Sequence, residues 1–162
     1  MSAQGGKTNA MRLLDAAGVP YRYSSCEVDK NNLSGVRVAE LLGLSPDVVF
    51  KTLVLQGERT GHLVCVIPSN CELDLKKAAK VAGDKKVEMI PQTQLLPTTG
   101  YIHGGCSPLG MKKKFPTYID ETAQLYDEIS VSAGVLGCQI IVDPVALARV
   151  LDAGFHDLTA VD

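Results

Sequence analysis

Lys51 is the one charge in the run VVFKTLVL, residues 48–55. An ammonium group is costly to leave unpaired in an apolar interior, so its head either reaches water at a strand end or enters a cleft. In a cleft it could hold a phosphate, a carboxylate or a polarised carbonyl, and Thr52 beside it could add a hydroxyl. The second candidate is the stretch GYIHGGCSPLGMKKK, residues 100–114, in which four residues separate Gly105 from Gly110. That spacing is the one used by phosphate-cradling loops of nucleotide hydrolases, but three features exclude the reading. Met111 follows Gly110 where a lysine and then a Ser or Thr are required. Pro108 has no N–H to offer a phosphate oxygen. Pro116 and the β-formers Phe115, Thr117, Tyr118 and Ile119 follow, where a helix N-terminus should face the anion. What remains is a strand, a glycine turn that lets a backbone or ligand come close, and a return strand.

Other catalytic sets are thin. There are three histidines, His62, His103 and His156. His62 sits at a hairpin edge, where a surface role is expected. His103 is near Cys106, but a strand–turn segment aims the two apart, which disfavours a Cys–His nucleophile. Asp120 and Glu121 read as a helix start and not as a general acid–base pair. Five cysteines, Cys26, Cys65, Cys71, Cys106 and Cys138, are an odd count without paired spacing. They suggest no disulfide framework, no zinc site and no Cys-x-x-Cys redox centre, only small core or loop residues kept reduced. No metal and no cofactor are expected.

Net charge is −2, which by itself argues against a nucleic-acid partner, yet eight lysines between residues 76 and 114 face only Asp84 and Glu88. That segment carries +6 and the remainder −8. A surface so divided can attract a polyanion on one side, the competing account being simply solvated lysines. With 162 residues the chain is expected to be one domain, 1–162. No apolar run approaches the ~20 residues of a membrane span. The N-terminus lacks the apolar centre of a signal peptide, so a cytoplasmic location without membrane contact is expected.

Local signals place the elements that must position these residues. Thr8 can cap a first helix ended by Gly18, and VPYRYSSCEV alternates like a strand. Val36–Leu42 reads as a short helix stopped by Gly43, and LSPDVV as another turn of helix with Ser45 as cap. FKTLVLQ and HLVCVIP, joined by GERTG, predict a hairpin. Asp74 opens the helix LKKAAKVA, closed by Gly83. KVEMI is read as a strand, PQTQLLP as a short helix and GYIHGG as a strand. FPTYID, EISVSA and CQIIVD are further strands, Asp143 and Pro144 start a last helix through Leu151, and a tail follows. Short strands mixed with helices, without a steady βαβ rhythm, indicate an α+β fold with a mixed sheet or partial barrel.

Taken together, VFKTLVL (49–55), ELDLKKAAK (72–80), KKVEMI (85–90), TTGYIHGGCSPLGMKKKFPTYID (98–120) and VSAG (131–134) resemble the YbaK/EbsC family, nearer its EbsC side. These are freestanding aminoacyl-tRNA deacylases related to the editing domain of bacterial prolyl-tRNA synthetase, and the resemblance runs over nearly the whole chain. It implies a single α+β domain, with a mixed, partly barrel-like β-sheet flanked by helices. Its cleft receives the aminoacylated 3′ end of tRNA. It implies catalytic roles for Lys51 and Thr52, with Gly104, Gly105, Ser107, Pro108 and Gly110 as the loop lining the pocket. Ser132 and Gln139 complete the substrate contacts, and Lys112, Lys113 and Lys114 face the tRNA backbone, a contact that weakens with salt.

The implied activity is trans-editing hydrolysis of mischarged Cys-tRNA(Pro), with prolyl-tRNA synthetase as a partner. A substrate-assisted route, lyase-like through a thiolactone, needs orientation more than a resident base. The chain also departs from the family. Cysteine-specific relatives carry an Asp where Gln139 aligns, an aromatic where this chain has NNLSG, a Tyr near Cys26 and a basic residue in the turn AGVLG. Deacylation of another small amino acid such as alanine, or a non-catalytic tRNA-binding module, are the alternatives.

Overall fold

The computed structural model describes residues 6–25 and 35–160. The chain runs through helix α1 (Asn9–Ala16), strand β1 (Tyr21–Ser25), α2 (Gly35–Leu42), β2 (Phe50–Gly57), β3 (His62–Pro68), α3 (Leu75–Ala82) and β4 (Val87–Met89). It continues through α4 (Leu95–Thr99), β5 (Thr117–Asp120), β6 (Ile129–Ser132), β7 (Cys138–Val142), α5 (Pro144–Leu151) and β8 (Gly154–His156). Single 3₁₀ turns precede α4 and follow β5.

The helix ends follow from local hydrogen bonding. Thr8 accepts from the Met11 N–H, Asp74 from Lys76 and Lys77, and Asp143 from Val145 and Ala146. Pro144 sits in the first turn of α5, where its missing N–H costs nothing. Gly83 closes α3 at φ +75°. The hairpin between β2 and β3 forms as expected, and the Asp84 carboxylate caps its turn. Asp84 accepts from the N–H groups of Arg59 and Thr60 and from the Thr60 hydroxyl. Those bonds, led by the Arg59 N–H, hold this carboxyl well below the usual carboxylate range.

Two sheets build the expected mixed, partly closed β-structure. One is antiparallel, in the order β1-β7-β6; the other runs β4-β2-β3-β5-β8, antiparallel across β4, β2 and β3 and parallel across β3, β5 and β8. They meet at a parallel bridge between Val49 and Ser130, where the Ser130 N–H donates to the Val48 carbonyl at 2.8 Å. The main core lies between the sheets. Val54, Val64, Val66 and Ile119 meet Ile129, Val131, Ile140 and Val142, closed by Met11 and Leu14 of α1 and Leu147 of α5. Leu55, Leu63, Cys65 and Ile67 point the other way, under Ala78 and Ala79 of α3. Burial on both faces is why β3 reads as an unbroken apolar run.

Three expectations are corrected. Residues 100–104 are not a strand: Gly100 is the left-handed cap of α4, and an irregular segment leads into the loop. LSPDVV makes a single turn, with the Asp47 N–H bonded to Ser45, before Val49 is drawn into its bridge. The tail holds β8, which pairs in parallel with β5. The strand read over VPYRYSSCEV is β1 through Ser25, and its last three residues lie outside the described ones.

Candidate active site

The outer edge of β2 is covered unevenly. Just ahead of the strand, the Val48 carbonyl is taken by Ser130 of β6, and at Val54 the carbonyl accepts from Ile90 at 3.2 Å, just past β4. Backbone groups two residues apart on a strand point the same way, so those of Thr52 face outward into the gap. A cleft of about 440 Å³ opens there. Lys51, Thr52 and Leu53 form its floor, Gly104 and Cys106 one wall, and Ser132 and Gln139 another.

Lys51 is half-buried and among the described residues forms no ion pair. Among the described residues the buried Thr52 hydroxyl oxygen has no hydrogen-bond partner. A buried hydroxyl left unsatisfied costs about 1–3 kcal/mol, so its position beside a lysine in a cleft points to a ligand that completes it. Ser132 accepts from the Gly134 N–H, keeping its own proton available. Gln139 is 7% exposed and held by Ser130 at 2.7 Å. Among the described residues no carboxylate lines the cleft. Burial pushes the Cys106 thiol up to about 11, so it is a neutral wall and not a nucleophile.

The loop wall is shaped by close approaches. Gly104 takes φ +85°, and a side chain on Gly105 would press on the Val135–Leu136 backbone at 3.4 Å. Tyr101 braces the same loop. Its hydroxyl donates to the Leu109 carbonyl, and its ring lies against both Gly110 and Gly134.

Lys51, Thr52, Gly104, Ser132 and Gln139 line one cleft, with Gly105 immediately behind. Ser107, Pro108 and Gly110 do not line this cleft. Ser107 is fully buried and accepts from the Leu109 N–H, folding the loop on itself. Pro108 and Gly110 line a separate groove of about 260 Å³ with Leu13, Lys113 and Lys114. Lys112 lies instead over Gly100 and reaches the Pro97 carbonyl of α4. The lysine run thus spreads over two surfaces. Sequence reading weighed His103 only as part of a Cys–His pair, but it lines the cleft, and assigned no role to Ser130, which holds Gln139. Ser130 had a signal: in ISVSA polar residues alternate with apolar ones, marking a second face of the strand.

Among the described residues no group of three His, Cys, Asp or Glu is placed to hold a metal ion, and no helix is long and apolar enough to cross a membrane. Cys65, Cys106 and Cys138 are buried, and Cys71 is half-buried.

Residues 33–150 match the family model described as the aminoacyl-tRNA editing domain. The chain is 51% identical over 153 residues to an Enterococcus faecalis protein named "Putative Cys-tRNA(Pro)/Cys-tRNA(Cys) deacylase EbsC", covering 94% of this chain and 93% of that one. Two solved structures share the fold. One, described as "a putative trans-editing enzyme for prolyl tRNA synthetase", matches with a TM-score of 0.82 at 22% identity, over 94% and 96% of the two chains. The other, of hypothetical protein APE2540, matches with a TM-score of 0.85 at 20% identity, over 94% and 99%.

Proposed function

Because the chain belongs to the aminoacyl-tRNA editing domain family, we propose that it is a trans-editing hydrolase that frees a mischarged amino acid from the 3′ end of tRNA. Cysteine on tRNA(Pro) is its first substrate. The observation that carries this reading is the unpartnered Thr52 hydroxyl beside Lys51, in a cleft open along the edge of β2. The ester carbonyl sits against Lys51 and Thr52, whose ammonium, N–H and hydroxyl meet the charge that develops on its oxygen. Gly104 and Gly105 let the terminal adenosine approach the backbone.

Among the described lining residues there is no carboxylate base and the Cys106 thiol is neutral, which favours the substrate's own thiol, of pKa ~8.5, as nucleophile. Its sulfur bonds to the ester carbon, the C–O bond to the ribose breaks, and the thiol proton passes to the departing ribose oxygen. Water then opens the thiolactone to free cysteine. Holding sulfur and carbonyl together is worth more here than a resident base. Alanine, another small amino acid, is the second reading; it requires water as nucleophile. Prolyl-tRNA synthetase is the partner proposed to deliver the substrate.

The test is release of amino acid from tRNA(Pro) charged with cysteine, alanine or proline, with and without the synthetase. Lys51→Ala should slow release by about 10²–10³-fold. Full activity in that variant overturns the assignment of Lys51, and tRNA binding without turnover on any substrate makes the protein a binding module.

A further inference from the structure

The three-stranded sheet has two unlike faces. Ile129, Val131, Cys138, Ile140 and Val142 look into the main core. The alternate positions Ser24, Ser130, Ser132 and Gln139 share the opposite face, and the last two line the cleft. Ser130 is 1% exposed, so its hydroxyl must find its partner inside the protein. The Ser130 Oγ lies 2.7 Å from Gln139 Oε1 and has no second partner among the described residues. A hydroxyl carries one proton and two lone pairs, and an orphaned buried donor is rarer than an under-used acceptor. Ser130 therefore donates, Oε1 accepts, and the amide is turned with its NH₂ toward the cleft. The Ser132 hydroxyl accepts from the Gly134 N–H and still has its own proton to donate on the same wall.

We propose that Ser130 is a positioning residue: by holding the Gln139 amide it makes this wall a set of hydrogen-bond donors, which selects aminoacyl esters whose short side chain ends in sulfur or oxygen over one ending in a methyl group. This rests on the editing reading above and names its specificity device. With its oxygen taken by Ser130, the Gln139 amide offers donors to the cleft, which suit a side-chain sulfur or oxygen better than the substrate's ammonium. A site built to hydrogen-bond a substrate group discriminates against the analogue without that group, since its own buried polar atoms are then left unpaired.

The probes are cysteinyl-, seryl- and alanyl-adenosine joined through a 3′-amide that resists ester cleavage, titrated calorimetrically. The wild-type protein should bind the cysteinyl and seryl compounds about tenfold tighter than the alanyl one. Ser130→Ala should bring that ratio near unity with alanyl affinity unchanged, and Ser130→Thr should restore it. Gln139→Met should abolish it by removing the amide itself. A purely structural role would shift all three affinities together. A ratio that survives in Ser130→Ala, or that is absent from the wild type, overturns the assignment while the editing reading stands. If the wild-type protein binds none of the three, both fail.

Discussion

The Tyr101 hydroxyl donates to the Leu109 carbonyl at 2.6 Å, tying the start of the glycine loop to its end. Leu109 is 1% exposed, so its carbonyl has no ready replacement from water. Tyr101→Phe should destabilise the protein by about 1 kcal/mol, lowering the thermal midpoint by about 2–4 °C. Turnover should fall as well, because Gly104 and Cys106 are carried by the loop that this bond closes. Calorimetry and deacylation rates on one preparation check both.

The Tyr101 ring also sets a steric limit. A Cβ on Gly134 would lie 2.8 Å from it at φ +104°, whereas one on Gly83, at φ +75°, meets nothing within 4 Å. Gly83→Ala should therefore cost only the left-handed backbone penalty, about 1–2 kcal/mol. Gly134→Ala should cost about 1–3 kcal/mol more, since the ring must shift. Urea unfolding of the two variants gives the comparison, and equal losses would remove the ring from the account.

Thr52 separates stability from function. Thr52→Val removes a buried hydroxyl that has no partner. Stability should stay level or rise by up to ~1 kcal/mol, while deacylation drops about tenfold. An unchanged rate would mean that this hydroxyl does not meet the substrate.

Alkaline pH should unfold the protein through groups that burial keeps neutral. Desolvation raises Tyr101 from 10.0 to about 12, Cys65 from 9.0 to about 12 and Cys106 from 9.0 to about 11. A pKa raised on folding means that the folded state holds the proton more tightly. Its contribution is whole below the unfolded value and is lost as pH rises through the folded one. The thermal midpoint should hold to about pH 9 and then fall steadily toward pH 12, and Cys106→Ala should flatten part of that slope.

Much of the fold was legible because its signals are short-range. Caps at Thr8, Asp74 and Asp143 act within three residues, and the β2–β3 hairpin closes over a short turn. Lys51 stood out for the same reason, as one charge among apolar neighbours. The misreadings share the opposite cause. Tyr101 looked like part of a strand because its burial comes from two loops, which a period of two cannot reveal. The three residues of β8 are too few for a pattern and gain their order from β5, far back in the chain.

Sequence alone therefore determined the elements, the family and the lysine–threonine pair at the heart of the cleft. Tertiary structure decided which other residues join them. The cleft exists because Ser130 covers one end of the β2 edge and Ile90 the other, leaving Thr52 between them. That pairing joins distant segments, so no local spacing encodes it. It also sends Pro108 and Gly110 to a different groove and brings in His103 and Ser130. Propensity and capping are energies of a few neighbouring residues, whereas a binding wall is assembled by packing that sums over the whole core.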